Sequence, residues 1–414
     1  MRARKLAAEF SGIQSEKQDG TVTLTDGTVV EPGQDAASEP QGPPPEVISC
    51  ESVNLDDNDG RAADKAMMQS VLSLRTPKSK VDREKVFDTP KFAPRLSLAE
   101  TDVAKVTKSA TVHLAFQPRI DGLILACADK NGHVSLWQVD ASEDHPSDGV
   151  HMFLPHRSYV SGLEWVSNSR LVTCSYDGSV RALHAERAEF KLAHFSESQE
   201  YSALVSADTN TLWLGTTDGT IQQYDQRMPL PLPKAIDVAD RKLNSLSFHP
   251  TKSHLLASTA SNDHMVCIWD IRRFTDGKSK KAISELDVGA TSQSAYWAPD
   301  GSGRLLVTSR QDSIRVFTDA ISASPSVGCL IRHNTNTGRW VIPFRAVWTP
   351  DSKGLVVGDM RRSAVIYDGK SGKSLRSLRS PDLMTAIPSR NACHPYLTAV
   401  ACATNSGRLH VYRA

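Results

Sequence analysis

The sequence is poor in cysteine and has no long apolar run. Its seven cysteines are odd in number, widely spaced and never part of a CxxC or Cys/His cluster. This spacing argues against a disulfide framework and against a zinc site, and it is typical of a reducing compartment. No run of 18 apolar residues exists, and residues 1–17 lack the apolar core of a signal peptide. We therefore expect a soluble, intracellular protein with no membrane partner.

The chain also lacks a large net charge of either sign. The chain has 48 Lys and Arg against 47 Asp and Glu, a net charge of +1, so total charge indicates neither a nucleic acid nor a membrane partner. The charge is nevertheless uneven, because residues 1–60 hold 12 acids and 4 bases, whereas residues 61–95 hold 9 bases and 4 acids. The sequence therefore predicts a boundary near the end of this charged region.

Motifs for catalysis are absent from the sequence. It contains no Walker loop, no GxSxG elbow, no HExxH and no metal-ligand cluster. His249 and His394 each precede a proline that recurs along the chain, and we interpret both as structural. The pattern favours a protein that is not an enzyme, needs no cofactor and binds no metal.

Residues 1–80 are predicted to form a largely disordered tail, acidic first and basic afterwards, because stretches rich in Pro, Gly, Ser, Asp and Glu cannot bury enough apolar surface. Within it, residues 63–75 ("ADKAMMQSVLSLR") have the apolar spacing of a short helix, either transient or docking on a partner. The basic run "RTPKSKVDREK" that follows is interpreted as a solvated linker, with a nuclear-import patch or a DNA-binding arm as the alternative.

From residue 109 to residue 414 the chain repeats a unit of three short strands. The first strand of most units ends in a pattern such as "LAFQP", "LSFHP", "AYWAP" or "AVWTP". The second and third strands flank tight turns such as "NG", "DG" and "SG", which suit a hairpin. Seven units follow one another at intervals of 40 to 51 residues, the length of a propeller blade. The sequence therefore predicts an all-β, seven-bladed WD40 β-propeller.

Closing this ring requires one more strand. The last unit ends at its third strand, "RLHVYRA", which would leave an unpaired edge. We expect the linker of residues 81–108 to supply the closing strand from within residues 81–105, and "KVFDTPKFAPRLSL" is one candidate. Its two prolines restrict that candidate to an edge.

The third strand of one unit is followed by an unusual group of charged residues. "MVCIW" is followed by Asp270, Arg272 and Arg273, and only "YDQR" one unit earlier is similar. The stretch "LLASTASNDHMVCIWDIR" resembles the DWD box of substrate receptors for cullin-4 ubiquitin ligases. The resemblance implies that Asp270 and Arg272, with Arg273 beside them, contact the adaptor propeller of such a ligase. The alternative is a buried arginine that serves an internal ion pair.

A second resemblance covers the repeats from about residue 110 to residue 414. "RKLNSLSFHP", "RHNTNTGRW" and "FRAVWTP" resemble the family of the damage-specific DNA-binding protein 2 subunit, and more closely WD repeat-containing protein 76 and the yeast changed-mutation-rate protein. The resemblance implies binding to double-stranded DNA, with a preference for a damaged or distorted duplex, in the nucleus. It also places a phosphate-binding lysine at Lys242.

The long loop that enters the sixth unit offers the chemistry for a DNA contact, because cations suit phosphates and planar groups stack on bases. In the family, an aromatic-led hairpin at this place is inserted at the lesion, but Gly338 stands at the leading position. Trp340 and Arg339 could replace that aromatic, or Trp340 could be a buried anchor. The candidate DNA-binding residues are Lys242, Arg332, Asn334, Asn336, Arg339, Trp340, Arg361 and Arg362.

Two functions remain open from the sequence. The first is a nuclear propeller that binds DNA and acts as a cullin-4 substrate receptor. The second is an interaction scaffold in chromatin or protein quality control, with histones or chromatin proteins as partners and no direct DNA contact. The basic loop favours the first, and the missing aromatic of the hairpin favours the second.

Overall fold

A computed structural model of the chain describes residues 13–16, 22–24, 29–30, 42–55, 57–73, 87–142, 144–228, 234–274, 281–322, 324–338 and 341–414. The chain divides into two compact units, Met1–Pro44 and Pro45–Ala414. The first unit contains an antiparallel sheet of the strands β1 (Ile13–Glu16), β2 (Val22–Leu24) and β3 (Val29–Val30). The second unit contains all of the predicted repeats.

Seven antiparallel sheets form the blades of the second unit, which confirms the predicted seven-bladed propeller. Two strands precede the repeats, β4 (Val47–Ser49) and β5 (Val103–Lys105). The strands of blades 1 to 3 are Thr111–Phe116, Ile124–Asp129, Val134–Gln138 and Val150–Phe153 (β6 to β9), Val160–Trp165, Leu171–Ser175, Ser179–His184 and Glu189–Phe195 (β10 to β13), and Tyr201–Ser206, Thr211–Thr216, Thr220–Asp225 and Ile236–Asp237 (β14 to β17). Those of blades 4 and 5 are Leu243–Phe248, Leu255–Ala260, Met265–Asp270 and Ser284–Asp287 (β18 to β21), and Ser292–Trp297, Leu305–Ser309, Ser313–Phe317 and Val327–Arg332 (β22 to β25). Those of blades 6 and 7 are Val347–Trp348, Gly354–Asp359, Ser363–Asp368 and Ser374–Leu378 (β26 to β29), and Pro388–Cys393, Ala399–Thr404 and Arg408–Arg413 (β30 to β32).

The two faces of the ring follow from this antiparallel order. The upper face is defined here as the one where the first strand of each blade begins, and it also carries the turn between the second and third strands. The lower face carries the turn between the third and fourth strands. First strands of neighbouring blades pack against each other and surround a central channel.

The turns on the upper face explain the recurring glycines. Gly178 and Gly219 have φ angles of 76° and 87°, a region that side chains rarely adopt. A Cβ at either position would lie within 2.1 Å of a carbonyl oxygen, that of Ser196 or Ala239, in the segment leading to the next blade. Blades 4 to 6 depart from the pattern, because Asn262, Asp312 and Arg362 take the left-handed conformation there, with φ angles of 57°, 48° and 58°.

The ring is closed by a segment that precedes the first blade. β5 pairs antiparallel with β32, with Leu409 opposite Ala104, and completes blade 7 as its fourth strand. β5 lies within residues 81–105, but the proline-containing candidate does not form it. Instead that candidate forms the short helix α2 (Thr89–Phe92) and a 3-10 helix (Ala93–Arg95), because Pro90 and Pro94 have fixed φ angles and suit the first positions of helices. The longer helix α1 (Asp57–Leu72) precedes them in the chain.

The segment before the repeats differs from the predicted disorder. Residues 45–55 and 57–73 are packed on blades 1 and 2, and only parts of the remaining tail lie within the described residues. β4 adds a fifth strand to blade 2 by pairing with β13, opposite Glu189 and Lys191. The disorder prediction considered composition alone, whereas this segment acquires its backbone partners from a blade edge that is distant in sequence.

A long helix, α1, spans Asp57–Leu72 rather than the predicted residues 63–75. Met67, Met68 and Val71 are buried in one cluster with side chains of blades 1 and 2. Its last turn is held by blade 1, since Gln117 Nε2 donates to the carbonyl of Val71 at 2.9 Å. This bond satisfies one of the carbonyl groups that a helix end leaves unpaired. No described helix has both the length and the apolar character that crossing a membrane requires.

Candidate nucleic-acid interface

The loop entering blade 6 begins as an extended segment with alternating exposure. His333, Thr335 and Thr337 are buried, whereas the residues between them point to solvent. His333 Nε2 lies 2.7 Å from the carbonyl oxygen of Gly358, and Thr335 Oγ1 donates to the carbonyl of Ser309 at 2.7 Å. The buried side chains thus anchor the loop to blades 5 and 6, which fixes the direction of the exposed ones.

Three of the predicted DNA-binding residues form the exposed row of this loop. Arg332, Asn334 and Asn336 are exposed on the upper face, and the amide nitrogen of Asn336 donates to Asn334 Oδ1 at 3.1 Å. This local turn stiffens the row, because the Asn side chain replaces a backbone partner. Arg339 and Trp340 lie outside the described residues, so the predicted roles of both remain predictions.

Arg361 and Arg362 lie at the neighbouring turn of blade 6 and are exposed on the same face. Arg310, at the equivalent turn of blade 5, is exposed as well. We call Arg310, Arg332, Arg361 and Arg362 the arginine sector. None of these four side chains forms an ion pair with any described residue, so their charges face solvent.

The two carboxylates closest in sequence to the sector are occupied by backbone amides. Asp312 Oδ1 accepts from the amide of Thr335 at 2.9 Å, and Asp359 Oδ1 accepts from that of Arg361 at 2.8 Å. Both carboxylates stabilise turns that present the arginines. The sector therefore keeps an excess of positive charge at the upper ends of blades 5 and 6.

Lys242 also lies on the upper face, directly before β18, but in a different setting. Its ammonium nitrogen is 3.3 Å from the hydroxyl of Tyr176 and 5.8 Å from the centre of that ring. Tyr176 in turn stacks on Tyr159, with the ring centres 4.9 Å apart. Burial raises the pKa of both tyrosines, so they stay neutral partners for the lysine at neutral pH. The structure thus separates Lys242, between blades 3 and 4, from the other predicted residues around blade 6.

Sequence reasoning missed Arg310. A signal was available, because "RQD" occupies in blade 5 the turn that "MRR" occupies in blade 6, and both turns reach the same face.

The charged end of β20 lies on the lower face. Asp270 is 8% exposed and caps a 3-10 helix, Ile271–Arg273, while the side chain of Arg272 is 67% exposed. The two form a bidentate pair, with Nε–Oδ1 at 2.9 Å and Nη2–Oδ2 at 2.7 Å, and Arg273 lies 3.9 Å from the same carboxylate. The hydrogen bond from Arg272 lowers the pKa of Asp270 to about 2. The alternative expected a buried arginine in an internal ion pair: the ion pair with Asp270 is present, but the arginine is exposed and only the aspartate is buried.

The same arrangement occurs one blade earlier. Arg227 pairs with Asp225 through Nε–Oδ1 at 2.9 Å and Nη2–Oδ2 at 2.6 Å, and its side chain is also exposed. The hydrogen bond from Arg227 lowers the pKa of Asp225 to about 2. The lower face thus presents two exposed, pre-oriented guanidinium groups on adjacent blades.

The family model described as "WD domain, G-beta repeat" matches residues 148–182 and 238–270. The first match covers most of blade 2, and the second ends at Asp270. The protein is a seven-bladed β-propeller with two segments that match the WD-repeat model.

Three relatives of this propeller are named as WD-repeat or DNA damage-binding proteins. WD repeat-containing protein 76 of Xenopus laevis is 31% identical over 325 residues, which are 77% of this chain and 55% of the relative. That of Rhinolophus ferrumequinum is 29% identical over 381 residues, 89% of this chain and 59% of the relative. DNA damage-binding protein CMR1 of Meyerozyma guilliermondii is 28% identical over 391 residues, 82% of this chain and 66% of the relative. The predicted resemblance to these two proteins is confirmed.

This chain spans less than two thirds of the length of each of these three relatives. The relatives are named as WD-repeat or DNA damage-binding proteins rather than as enzymes. All seven cysteines of this propeller are free thiols, and the described residues contain no group of three or more His, Cys, Asp or Glu side chains that could hold a metal ion.

Proposed function

We propose that this propeller binds double-stranded DNA through the upper ends of blades 5 and 6. The observation that carries the proposal is the arginine sector, whose four exposed guanidinium groups have no acidic partner among the described residues. A relative that carries the name DNA damage-binding protein supports the same assignment. Arginines of this kind neutralise backbone phosphates, which supplies affinity that depends steeply on salt.

Asn334 and Asn336 add hydrogen-bonding groups beside the sector. Amide side chains can donate to phosphate oxygens and can also reach base edges. Because the loop is anchored by buried residues on both neighbouring blades, little ordering is needed when the duplex docks. A rigid loop beside an array of cations suits a duplex that is already distorted, so we propose a preference for damaged DNA, with the nucleus as the place of action.

The exchange Arg332→Glu is expected to weaken duplex binding by about 1–3 kcal/mol, because it replaces one phosphate contact by repulsion. It should also reduce the salt slope by about 1. The matched control is Lys370→Glu, which makes the same change of charge at an exposed site of the neighbouring blade 6, on the lower face. Fluorescence anisotropy with one labelled duplex at several salt concentrations measures both effects. Equal losses in the two variants would remove the arginine sector from the interface.

Lesion preference is tested by comparing intact and ultraviolet-irradiated duplexes of one sequence in the same salt titration. Tighter binding to the irradiated duplex is the expected result. A steep salt slope with equal affinities would restrict the function to general DNA binding. No binding at low salt would contradict DNA binding altogether and favour the interaction scaffold, with histones or other chromatin proteins as partners.

A second function is proposed for the lower face, as a docking site for the adaptor propeller of a cullin-4 ubiquitin ligase. The exposed Arg272, held in place by Asp270, is the observation that favours it. A guanidinium that is already oriented loses little conformational entropy when it meets a partner. In this role the chain would act as a substrate receptor.

Arg272→His is expected to abolish co-purification with the adaptor and to change the melting temperature by less than about 2 °C, because the Asp270 carboxylate keeps the backbone amide of residue 272 and the nearby Arg273 as partners. Arg227→His is the matched control, since it removes an equivalent arginine from the adjacent blade. Retention of the adaptor by the first variant, or its loss in both, would contradict a specific role for Arg272.

A further inference from the structure

The wall of the central channel carries an unusual set of side chains at one level. In six blades the pairing of the first and second strands shifts register two residues after the first strand begins. In blade 6, extending the pairing of Val347 with Val356 brings Arg345 to the same level. We call this set the channel ring; its members from blade 1 to blade 7 are His113, Gly162, Ala203, Ser245, Ser294, Arg345 and Arg390. Four neighbouring blades thus contribute small residues, while the other three contribute two arginines and a histidine.

The two arginines of the channel ring have only neutral partners. Arg390 is 7% exposed, and its Nε donates to the carbonyl of Val112 at 2.9 Å, while Nη1 donates to that of Pro343. Arg345 Nη2 donates to the carbonyl of Asn244 at 2.6 Å. Neither guanidinium pairs with a carboxylate among the described residues. Two cations therefore share a partly enclosed site without compensation, which costs free energy unless an anion joins them.

The charge of Arg345 affects the pKa values of its titratable neighbours Arg390 and His113. Burial, and then the charge of Arg345, lowers the pKa of Arg390 to about 9. Burial and both arginines hold the pKa of His113 well below its usual range, so this histidine is neutral and adds no charge. The positive charge of the channel ring at neutral pH therefore resides on the two arginines.

A cavity of about 530 Å³ adjoins these arginines. Arg345, Arg390 and Asn391 line it, and its wall continues along the first strand of blade 4 to Pro250 and Ser253, which are exposed on the lower face. Five residues of strand separate Ser245 from Pro250, so the arginines lie about 16 Å from that mouth. At the upper end of the channel lies an apolar cluster of Ala110, Val112 and Ile342, with Tyr159 packed on it. The cavity is thus accessible from the face opposite the proposed DNA site.

An unsatisfied amide lies beside the arginines. Asn391 is 5% exposed, and neither its Oδ1 nor its Nδ2 has a hydrogen-bond partner within the described part of the chain. Buried amides almost always have partners, so both polar atoms of this one are available to a ligand in the cavity. The acidic side chain among the lining residues, Glu164, receives hydrogen bonds from the amide (2.9 Å) and hydroxyl of Ser206, and burial raises its pKa. Its carboxylate is thereby engaged with blade 3.

We propose that this cavity binds a small phosphate-bearing anion of nucleotide size, with its phosphate between Arg345 and Arg390. Guanidinium groups match phosphate oxygens in geometry and charge, and the Asn391 amide supplies a further donor. The cavity volume falls within the usual range of small-ligand sites. An acidic side chain of a docked protein would not span the distance from the mouth, which favours a free small molecule.

The test uses the full chain with inorganic pyrophosphate and with adenosine 5′-monophosphate, by isothermal titration calorimetry at constant ionic strength. Saturable one-to-one binding is expected. It should weaken about tenfold or more in Arg345→Gln, the loss of one charged hydrogen bond, and in Ala207→Trp, which fills the cavity wall nearer the mouth. Arg227→Gln, which changes a paired arginine on the same face, should bind as the unchanged protein does. Arg390 is left intact because it also holds Val112 and Pro343.

The outcomes distinguish a nucleotide from a simple phosphate as the ligand, and they show whether the cavity is a binding site. Tighter binding of the nucleotide indicates that the cavity also holds a nucleoside, whereas equal binding restricts recognition to the phosphate; either result supports the proposal. Absence of saturable binding would overturn it, as would unchanged binding in both cavity variants. If Arg345→Gln fails to fold, Ala207→Trp alone decides. Duplex affinity should be the same in all variants, because the cavity opens away from the arginine sector.

Discussion

Met68→Asp is expected to lower the free energy of unfolding by about 3–5 kcal/mol, the scale of a large buried side chain lost together with the burial of an unpaired charge. Met68 is 2% exposed and packs with the cores of blades 1 and 2. An isolated helix of the length of α1 is marginal in water, so its stability depends on this packing. The substitution should therefore detach α1 as well as weaken the blades beneath it.

The matched control for Met68→Asp is Leu72→Asp on the same helix. Leu72 is 38% exposed, so an aspartate there remains solvated and should cost much less. Urea denaturation followed by circular dichroism compares the two midpoints, and limited proteolysis reports whether residues 57–73 have become accessible. Similar midpoints for the two variants would show that α1 is a loosely attached appendage and not part of the folded core.

Asp351→Ala should destabilise the propeller by about 3 kcal/mol or more, because it leaves several buried donors without an acceptor. The carboxylate of Asp351 accepts from the amide and the hydroxyl of Thr89 at 2.8 and 2.7 Å, and from the hydroxyl of Thr349 at 2.7 Å. It thereby ties the start of α2 to blade 6, where Phe92 and Leu96 are buried. Loss of this tie should loosen the segment that leads to β5.

Asp382→Ala provides the comparison for Asp351→Ala, since Asp382 lies between blades 6 and 7 and is exposed. Thermal unfolding should shift to a lower temperature in the first variant and stay nearly constant in the second. Hydrogen exchange of residues 87–98 should accelerate only in the first. Unchanged exchange there would mean that the apolar contacts of Phe92 and Leu96 suffice to hold the segment.

The repeats could be predicted from the sequence because each blade carries its own local signals. Turn residues such as Gly178 and Gly219 and the recurring aromatic-x-Pro ends depend on contacts within one blade or with the next. β4 and β5 have no such signal, since each is three residues long and is defined by pairing with a distant strand. The need for a closing strand could therefore be predicted, but its residues could not.

The candidate site was predictable to a similar degree. Arg332 ends a strand and Arg361 lies in a turn, and both positions follow from the repeat, so their common face could be inferred from the order of strands. Arg390 lies within a first strand and Arg345 lies just before one. From the sequence alone, a single charged residue in such a strand would be interpreted as lying at a sheet edge or in an ion pair. Only the register of seven strands, compared at one level, brings them together.

Closure of the ring by β5 has a consequence for the timing of folding. Lys105 pairs with Arg408, which follows it by some 300 residues of chain. At the usual speed of synthesis, about 5–20 residues per second, β5 stays without its partner strand β32 for roughly 15–60 s after β5 has left the ribosome. During that interval β5 and the edges of the growing blades are exposed to pairing with other chains. The newborn protein is therefore most dependent on chaperones just before its last blade is made.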